Sequence, residues 1–92
     1  MPAIEVYTKD YCPYCAKAKA LLTSLGQRFE EIDLVKTPQR RDEMITRAKG
    51  RTTVPQIFID GAHIGGCDDL HTLHAQGKLV PLFGDRADPW KR

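Results

Sequence analysis

The sequence predicts an α/β fold in which a four-stranded mixed sheet is flanked by three helices. Segments in which polar and apolar residues alternate, as in strands, are interspersed along the chain with segments whose apolar residues recur at helical spacing. Gly and Pro residues stand at the predicted boundaries of these segments. The resulting order is strand, helix, strand, helix, strand, strand, helix, and the helices must pack on the sheet to bury their apolar sides.

The first half of the chain predicts a strand, a helix and a second strand. AIEVYT alternates in polarity before the turn-forming residues KDYCP and predicts the first strand. AKAKALLTSL has apolar residues at helical spacing, and Gly26 follows as a stop. RFEEIDL predicts the second strand, which a right-handed crossover places parallel to the first. The apolar side of the helix is predicted to consist of Ala16, Ala20, Leu21 and Leu25.

The second helix is predicted in TPQRRDEMITRAKG. Thr37 is suited to cap it, Pro38 suits its first position, and Gly50 ends it. Because apolar residues are few here, only a narrow stripe of the helix is expected to be buried. That stripe comprises Met44, Ile45 and Ala48.

A hairpin and a third helix complete the predicted elements. Asp60 and Gly61 form a favoured two-residue turn between PQIFID and GAHIG, so these two runs predict paired strands. DDLHTLHAQG then predicts a short helix that ends at Gly77. Its N-cap is predicted to be Asp68 or Asp69, because a short acidic side chain suits that position.

One domain is predicted over residues 1–83, followed by a loose tail at residues 84–92. The chain has 92 residues, 41% of them hydrophobic, which suffices for one core and is too little for two. The tail, GDRADPWKR, holds a single large apolar residue, Trp90, among charged ones. No repeat or linker divides the remainder.

Composition and charge argue against several functional classes. The net charge is +2 with acidic and basic residues interspersed, so the sequence lacks the concentrated basic pattern of nucleic-acid binding. No apolar run approaches membrane-spanning length, and the first ten residues lack a secretory pattern. Three cysteines are too few for a disulfide framework. We therefore expect a cytoplasmic protein without nucleic-acid or membrane partners.

Cys12 and Cys15 lie in the segment CPYC, between a predicted strand and a predicted helix. Cys12 would stand at the helix N-terminus, where unpaired backbone N–H groups and the helix dipole favour the thiolate, the nucleophilic form. Cys15 follows about one turn later, close enough to form a disulfide with Cys12 and more deeply buried. The pair therefore predicts a catalytic redox site in which Cys12 attacks and Cys15 resolves.

Two other roles for the pair are weaker. A structural disulfide would close a very short loop and constrain the unfolded chain little. A metal site would need further ligands at suitable spacing, and the remaining candidates do not offer it: Cys67, His63, His71 and His74. Since redox exchange needs only the pair, the helix terminus and access, no metal site is predicted.

Three separated motifs resemble those of the dithiol glutaredoxins, particularly the small bacterial type. They are CPYC at 12–15, RTTVPQIFIDG at 51–61 and GGCDDL at 65–70, and they occur in the family's order. The resemblance extends over about residues 3–82. It implies a thioredoxin-like fold and a reaction with glutathione, a thiol tripeptide that carries two carboxylates and one ammonium.

The resemblance also implies residues that bind glutathione. A cis peptide between Val54 and Pro55 would let the Val54 backbone align the tripeptide like an added strand, above the attacking thiol. Beside the Gly66 turn, the backbone N–H groups of Cys67 and Asp68 would hold the γ-glutamyl carboxylate. Without the resemblance, Pro55 would simply start a strand and Asp68 would cap a helix. The Cys67 thiol itself is expected to be a packed side chain.

Lys9, Tyr14 and Thr53 complete the implied site. Lys9, three residues before Cys12, would favour the thiolate and hold the glycine carboxylate of glutathione. Tyr14 would flank the bound ligand and Thr53 would contact it. Arg40 or Arg41 is a candidate for a second cation at the glycine end, although a solvated helix face also explains either of these residues.

The implied activity is that of a glutathione-dependent thiol-disulfide oxidoreductase. It would reduce protein disulfides and mixed disulfides between proteins and glutathione, as a monomer without a tightly bound cofactor. Glutathione would be the reducing co-substrate. Because the chain has no dinucleotide-binding fingerprint, a separate enzyme would have to regenerate the glutathione.

Two alternatives stay open. One is an electron donor that is reduced directly by a thioredoxin reductase. The other is an iron-sulfur scaffold in which two chains share a cluster through Cys12 and glutathione. The proline of CPYC resembles members that mainly catalyse exchange, which disfavours the scaffold.

Overall fold

A computed structural model describes residues 3–83 of the chain. Its strands are β1 (Ile4–Thr8), β2 (Glu30–Asp33), β3 (Gln56–Ile59) and β4 (Ala62–Gly65), and its helices are α1 (Pro13–Ser24), α2 (Arg41–Arg47) and α3 (Cys67–Ala75). Short 3-10 turns at Pro38–Arg40 and Val80–Phe83 precede α2 and follow α3. The predicted tail at 84–92 lies outside the described residues.

The four strands form one mixed sheet in the order β2-β1-β3-β4. β1 and β2 are parallel, with Thr8 opposite Asp33, and β3 runs antiparallel to both β1 and β4. The hairpin turn is tight because Asp60 and Gly61 both have positive φ, 51° and 83°, as two-residue hairpin turns favour. The predicted fold class, the hairpin and the parallel pairing are confirmed.

The larger apolar cluster packs α1 and α3 against one face of the sheet. In α1 the buried residues are Cys15, Ala18 and Leu22, which succeed one another at helical spacing. The leucines of the predicted apolar side are partly buried, whereas Ala16 and Ala20 are exposed, so half of that prediction was wrong. Because alanines occur at positions 16, 18 and 20, they do not indicate which side of the helix faces the sheet. The larger Leu22, which is fully buried, determines that side.

The smaller cluster lies between α2 and the opposite face of the sheet. Tyr7 and Phe58 pack edge to face there, with ring centroids 5.6 Å apart. Met44 and Ala48 are fully buried and Ile45 packs at the edge, so the predicted narrow stripe is confirmed. Because so few apolar residues anchor this helix, polar contacts carry part of its attachment.

Arg47, the last residue of α2, holds the helix to the sheet. Its guanidinium donates two hydrogen bonds to the Glu5 carboxylate, at 2.8 and 3.2 Å, and one to the Tyr7 hydroxyl at 2.9 Å. It also lies 4.1 Å from the centroid of the Phe58 ring, and the Tyr7 hydroxyl donates to Glu43. The hydrogen bond with Glu5 is the main cause that raises the pKa of Arg47. We call Arg47, Glu5 and Tyr7 the Arg47 clamp.

The N-termini of α2 and α3 differ from the predicted ones. The Thr37 side chain caps no helix, because its hydroxyl donates to the Asp33 carbonyl at 2.8 Å and a 3-10 turn precedes α2. The N-cap of α3 is Gly66, so the choice of Asp68 or Asp69 was wrong. Asp69 is the third residue of this helix, and its carboxylate reaches back to accept the Gly66 N–H at 2.9 Å.

Candidate active site

Three loops meet at the candidate site. The loop after β1 supplies Cys12, the segment before β3 supplies Val54, and the turn between β4 and α3 supplies Gly66. The Cys12 thiol donates to the Val54 carbonyl, with 3.9 Å between sulfur and oxygen. A Cβ atom on Gly66 would lie 3.3 Å from the Pro55 carbonyl oxygen, so the third loop also approaches closely. Segments that are distant in sequence thus surround one sulfur.

Cys12 is the N-cap of α1 and is partly exposed. Its Sγ accepts a hydrogen bond from the Cys15 N–H at 3.3 Å, and Pro13 occupies the first helical position, where its missing N–H costs nothing. Negative charge on this sulfur is favoured by the N–H and by the positive end of the helix dipole. The arrangement suits an accessible nucleophile.

Cys15 stands one turn further along α1 and is buried, with 2% of its surface exposed. Burial raises the pKa of the Cys15 thiol to about 12, and its hydrogen bond with Cys12 adds to this rise. A hydrogen bond from the Lys9 backbone opposes both effects. At neutral pH Cys15 is therefore a thiol, while its neighbour Cys12 is partly exposed.

A groove of about 150 Å³ lies in front of α3. It is lined by Tyr14, Arg51, Thr53, Val54, Pro55, Gly66, Cys67, Asp68 and Asp69. The residues for which the sequence predicted glutathione binding are among these, except Lys9 and the two candidate cations Arg40 and Arg41. The peptide bond between Val54 and Pro55 is cis, as the resemblance implied.

Gln56 supports the groove from behind, a role that the sequence did not reveal. Its fully buried amide donates to the Thr53 carbonyl at 3.0 Å and to the Thr53 hydroxyl at 3.1 Å. Its carbonyl oxygen lies 2.6 Å from His63 Nε2, which therefore acts as the donor. His63 packs on Phe58, with ring centroids 5.0 Å apart, and burial lowers the pKa of its imidazole. A neutral His63 thus orients the Gln56 amide, and Gln56 in turn holds Thr53 in place.

The glycine turn between β4 and α3 forms the opposite side of the groove. Gly65 has a φ of +123°, and a Cβ there would come within 2.2 Å of the Asp69 carboxylate. Cys67 is 5% exposed and burial raises the pKa of its thiol, as expected of a packed side chain. Asp68 is exposed at the start of α3. The backbone of Cys67 and Asp68 therefore borders the groove, while the Cys67 side chain belongs to the core.

Arg51 and Asp69 also line the groove, and sequence reasoning assigned neither of them to it. Arg51 Nη1 lies 3.1 Å from Asp69 Oδ2, and the same oxygen accepts the Gly66 N–H. The hydrogen bond from Gly66 chiefly lowers the pKa of Asp69, with a further contribution from Arg51. Asp69 lies three residues after Gly66, which is the spacing of a capping interaction, so the sequence could have revealed the contact between them. Arg51 offers no local signal because its partner is 18 residues away.

Lys9 and Arg40 lie outside the groove. Lys9 is exposed and borders a second depression, which Cys12 and Cys15 also line. Arg40 is paired with Glu43, with 2.7 Å between Nη2 and Oε2, and borders a hollow next to β2. The structure therefore brings Lys9 near the cysteine pair but gives Arg40 a different partner.

The described part of the chain, residues 3–83, also bears on two other kinds of site. No group of three or more His, Cys, Asp or Glu side chains in this part of the chain is arranged to hold a metal ion. None of its helices is long and apolar enough to cross a membrane.

Comparison with known proteins places the site in a family. The family model described as Glutaredoxin matches residues 4–64. Glutaredoxin 3 of Escherichia coli K12 is 58% identical over 83 residues, which cover 90% of this chain and 99% of that protein. Glutaredoxin of Pseudomonas aeruginosa is 51% identical, with coverage of 90% and 98%.

Solved structures agree with the sequence relatives. The crystal structure of the buckwheat glutaredoxin-glutathione complex has a TM-score of 0.83 at 36% identity, and the alignment covers 94% of this chain and 80% of that one. The solution structure of glutaredoxin from Brucella melitensis has a TM-score of 0.76 at 53% identity, with coverage of 88% and 87%. With its CPYC pair at the start of α1 and its thioredoxin-like fold, the chain belongs to the glutaredoxin family of glutathione-dependent thiol-disulfide oxidoreductases.

Proposed function

We propose that Cys12 is the attacking thiol and Cys15 the resolving thiol of this activity. The single observation that carries the proposal is the contrast between the two sulfurs: Cys12 is accessible and accepts an N–H at the helix terminus, whereas Cys15 is buried and protonated. The Cys12 thiolate attacks one sulfur of a substrate disulfide and displaces the other, which takes up a proton. Cys15 then loses its proton and attacks Cys12, which releases the second substrate thiol.

Two glutathione molecules return the Cys12-Cys15 disulfide to the dithiol. The first attacks Cys12, forms a mixed disulfide with it and frees Cys15 as a thiol. The second attacks the glutathione sulfur of that mixed disulfide, so Cys12 leaves as a thiolate and glutathione disulfide is formed. A glutathionylated protein needs only part of this sequence, because Cys12 can take the glutathionyl group directly without Cys15.

We propose that the groove binds the glutathione moiety. The backbone of Val54 would pair with the extended tripeptide, and the N–H groups of Cys67 and Asp68 would bind its γ-glutamyl carboxylate. Tyr14 and Thr53 would contact the ligand, and Lys9 would attract the glycine carboxylate. Support comes from the shared groove lining and from the buckwheat relative, whose structure is a glutathione complex.

The proposed partners are disulfide-containing and glutathionylated proteins in the cytoplasm. A reducing compartment suits the proposal because it returns the resting pair to thiols. The proposed mechanism needs only the cysteine pair and the groove of one chain, so we propose that the protein acts as a monomer.

The test is a turnover assay with glutathione, glutathione reductase and NADPH on a glutathione mixed disulfide and on a protein disulfide. Cys12→Ser should reduce both activities to background, because no other described thiol is accessible. Cys15→Ser should retain most of the first activity and lose the second. An active Cys12→Ser variant would refute the assignment, and a parallel assay with thioredoxin reductase in place of glutathione tests the alternative reductant.

A further inference from the structure

A second depression opens beside the cysteine pair, apart from the glutathione groove. The groove lining includes neither thiol of the pair, whereas Cys12 and Cys15 both border this depression. Its ionisable side chains, besides the two thiols, are Lys9, Asp10, Tyr11, Lys19, Glu31 and Asp33. The depression beside the resolving thiol therefore holds several charges, of which the mechanism above uses only Lys9.

Lys19 stands out among these residues because it is one helical turn from Cys15. Residues four positions apart on an α-helix lie on the same face, with Cβ atoms about 5–6 Å apart. The Lys19 ammonium is held at this place because it donates to Glu31 Oε2 at 2.9 Å. The same oxygen accepts the hydroxyl of Thr8 at 2.8 Å, and Thr8 is buried in the central strand β1. A long side chain that is usually mobile is thus anchored beside a buried sulfur.

We propose that Lys19, anchored by Glu31, is a positioning residue that stabilises negative charge on Cys15 during the resolving step. The inference rests on the proposed role of Cys15 as the resolving thiol. In that step the Cys15 S–H proton leaves to solvent, the sulfur attacks Cys12, and the bond between Cys12 and the substrate sulfur breaks. The departing substrate thiolate takes up a proton, so the step needs no other oxidant or reductant.

The balance of charges around Cys15 shows why a cation matters here. A buried thiol is costly to ionise, and the field of Lys19 is among the effects that lower the pKa of Cys15. Lys9 also carries positive charge, whereas Asp10, Glu31 and Asp33 act in the opposite direction. Glu31 is bonded to the ammonium itself, and its pKa is lowered chiefly by Lys19, so it stays ionised and keeps the lysine in place.

The size of the effect follows from how thiols react. Each pKa unit added to Cys15 lowers its thiolate fraction tenfold, but a more basic thiolate is a better nucleophile and recovers nearly half of this loss on a logarithmic scale. Replacement of Lys19 by a neutral residue should therefore slow the resolving step about threefold for each pKa unit that Cys15 gains. Attack by Cys12, which precedes this step, should not change.

The experiment is stopped-flow reaction of the reduced protein with an aromatic disulfide that releases a coloured thiol. The first molecule of coloured thiol leaves when Cys12 attacks, and the second leaves when Cys15 resolves the mixed disulfide. Lys19→Gln should slow the second phase up to about threefold and leave the first unchanged. Lys19→Arg should restore the second phase because it keeps the charge, and Lys17→Gln is the matched loss of charge on the same helix and should alter neither phase.

Salt provides a readout that a purely structural role would not move. Because the Lys19 side chain is partly exposed, higher ionic strength should slow the second phase of the wild type by a larger factor than that of Lys19→Gln. The proposal is overturned if Lys19→Gln keeps the wild-type second phase, if Lys17→Gln slows it equally, or if Lys19→Arg does not restore it. Failure of the proposed function looks different, because Cys15→Ser would then retain the second phase.

Discussion

Cys12 and Cys15 are identical side chains three positions apart, yet their surroundings differ in almost every respect. Cys12 caps α1 with its sulfur toward the cleft, and Cys15 is 2% exposed within the same helix. One turn of helix thus separates a partly exposed thiol from a buried one. The contrast teaches that position along a helix, without any change of side chain, can suit one residue type to the two proposed roles of attack and resolution.

The largest expected effect on this contrast concerns alkylation. At pH 7.5 iodoacetamide should modify Cys12 at least about a hundredfold faster than Cys15, because Cys15 is buried and its pKa is about 12. Mass spectrometry of peptides from partly labelled protein measures both rates, and Cys67, which is also buried, is the internal reference. Equal rates of alkylation at Cys12 and Cys15 would contradict the difference in burial between the two thiols.

An intermediate effect is expected when the groove beside Cys12 is changed and the pocket of Cys15 is left intact. Arg51→Met should raise KM for a glutathionylated substrate about two- to fivefold, because the Asp69 side chain that holds the glycine turn loses its partner, while kcat changes little. Steady-state kinetics with varied substrate measures both constants.

The matched control for this change is Arg28→Met, an exposed arginine at the opposite end of β1. It removes the same charge and should leave KM unchanged. An equal rise of KM in both variants would assign the effect to net charge and not to the groove.

The smallest effect is a dependence of stability on pH. Cys15 ionises near 9.0 in an unfolded chain and near 12 in the folded one, so the folded state keeps the proton longer. Its contribution to stability is complete below pH 9 and is lost progressively as the pH rises from about 9 toward 12. Urea unfolding at pH 8 and pH 10 should show a larger fall in midpoint for the wild type than for Cys15→Ala.

Cys12→Ala serves as the reference for that measurement. Its fall in midpoint between the two pH values should follow the wild type more closely than Cys15→Ala does. If Cys15→Ala retained the full wild-type fall, burial of this thiol would not be the cause.

Local patterns were sufficient to predict the parts of the molecule that local chemistry determines. The placement of CPYC between a strand and a helix followed from alternation and helical spacing, and the turn at Asp60 and Gly61 followed from the backbone preferences of those residues. The N-cap of α3 was predicted wrongly because an aspartate can satisfy the same N–H from inside the helix, as Asp69 does.

Contacts between distant segments could not be predicted in this way. In the sequence Gln56 is one polar residue in an apolar strand. Nothing near it indicates that its amide holds Thr53 or that His63 orients this amide. The Arg51 pair with Asp69 depends on how the hairpin returns the chain to α3. The family resemblance pointed to the groove, but its supporting residues became visible only in three dimensions.

The Arg47 clamp has a consequence for substrate recognition on the other side of the sheet. Only three residues, 48–50, separate it from Arg51, where the wall of the groove begins. Apolar contacts alone would let α2 shift along the sheet. The planar guanidinium of Arg47, which is hydrogen-bonded to Glu5 and Tyr7, instead favours one alignment of this helix. The position of the groove wall therefore depends on the Arg47 clamp. A lysine at position 47 would keep the charge but not the forked hydrogen bonds, so it should weaken ligand binding in a groove that it does not touch.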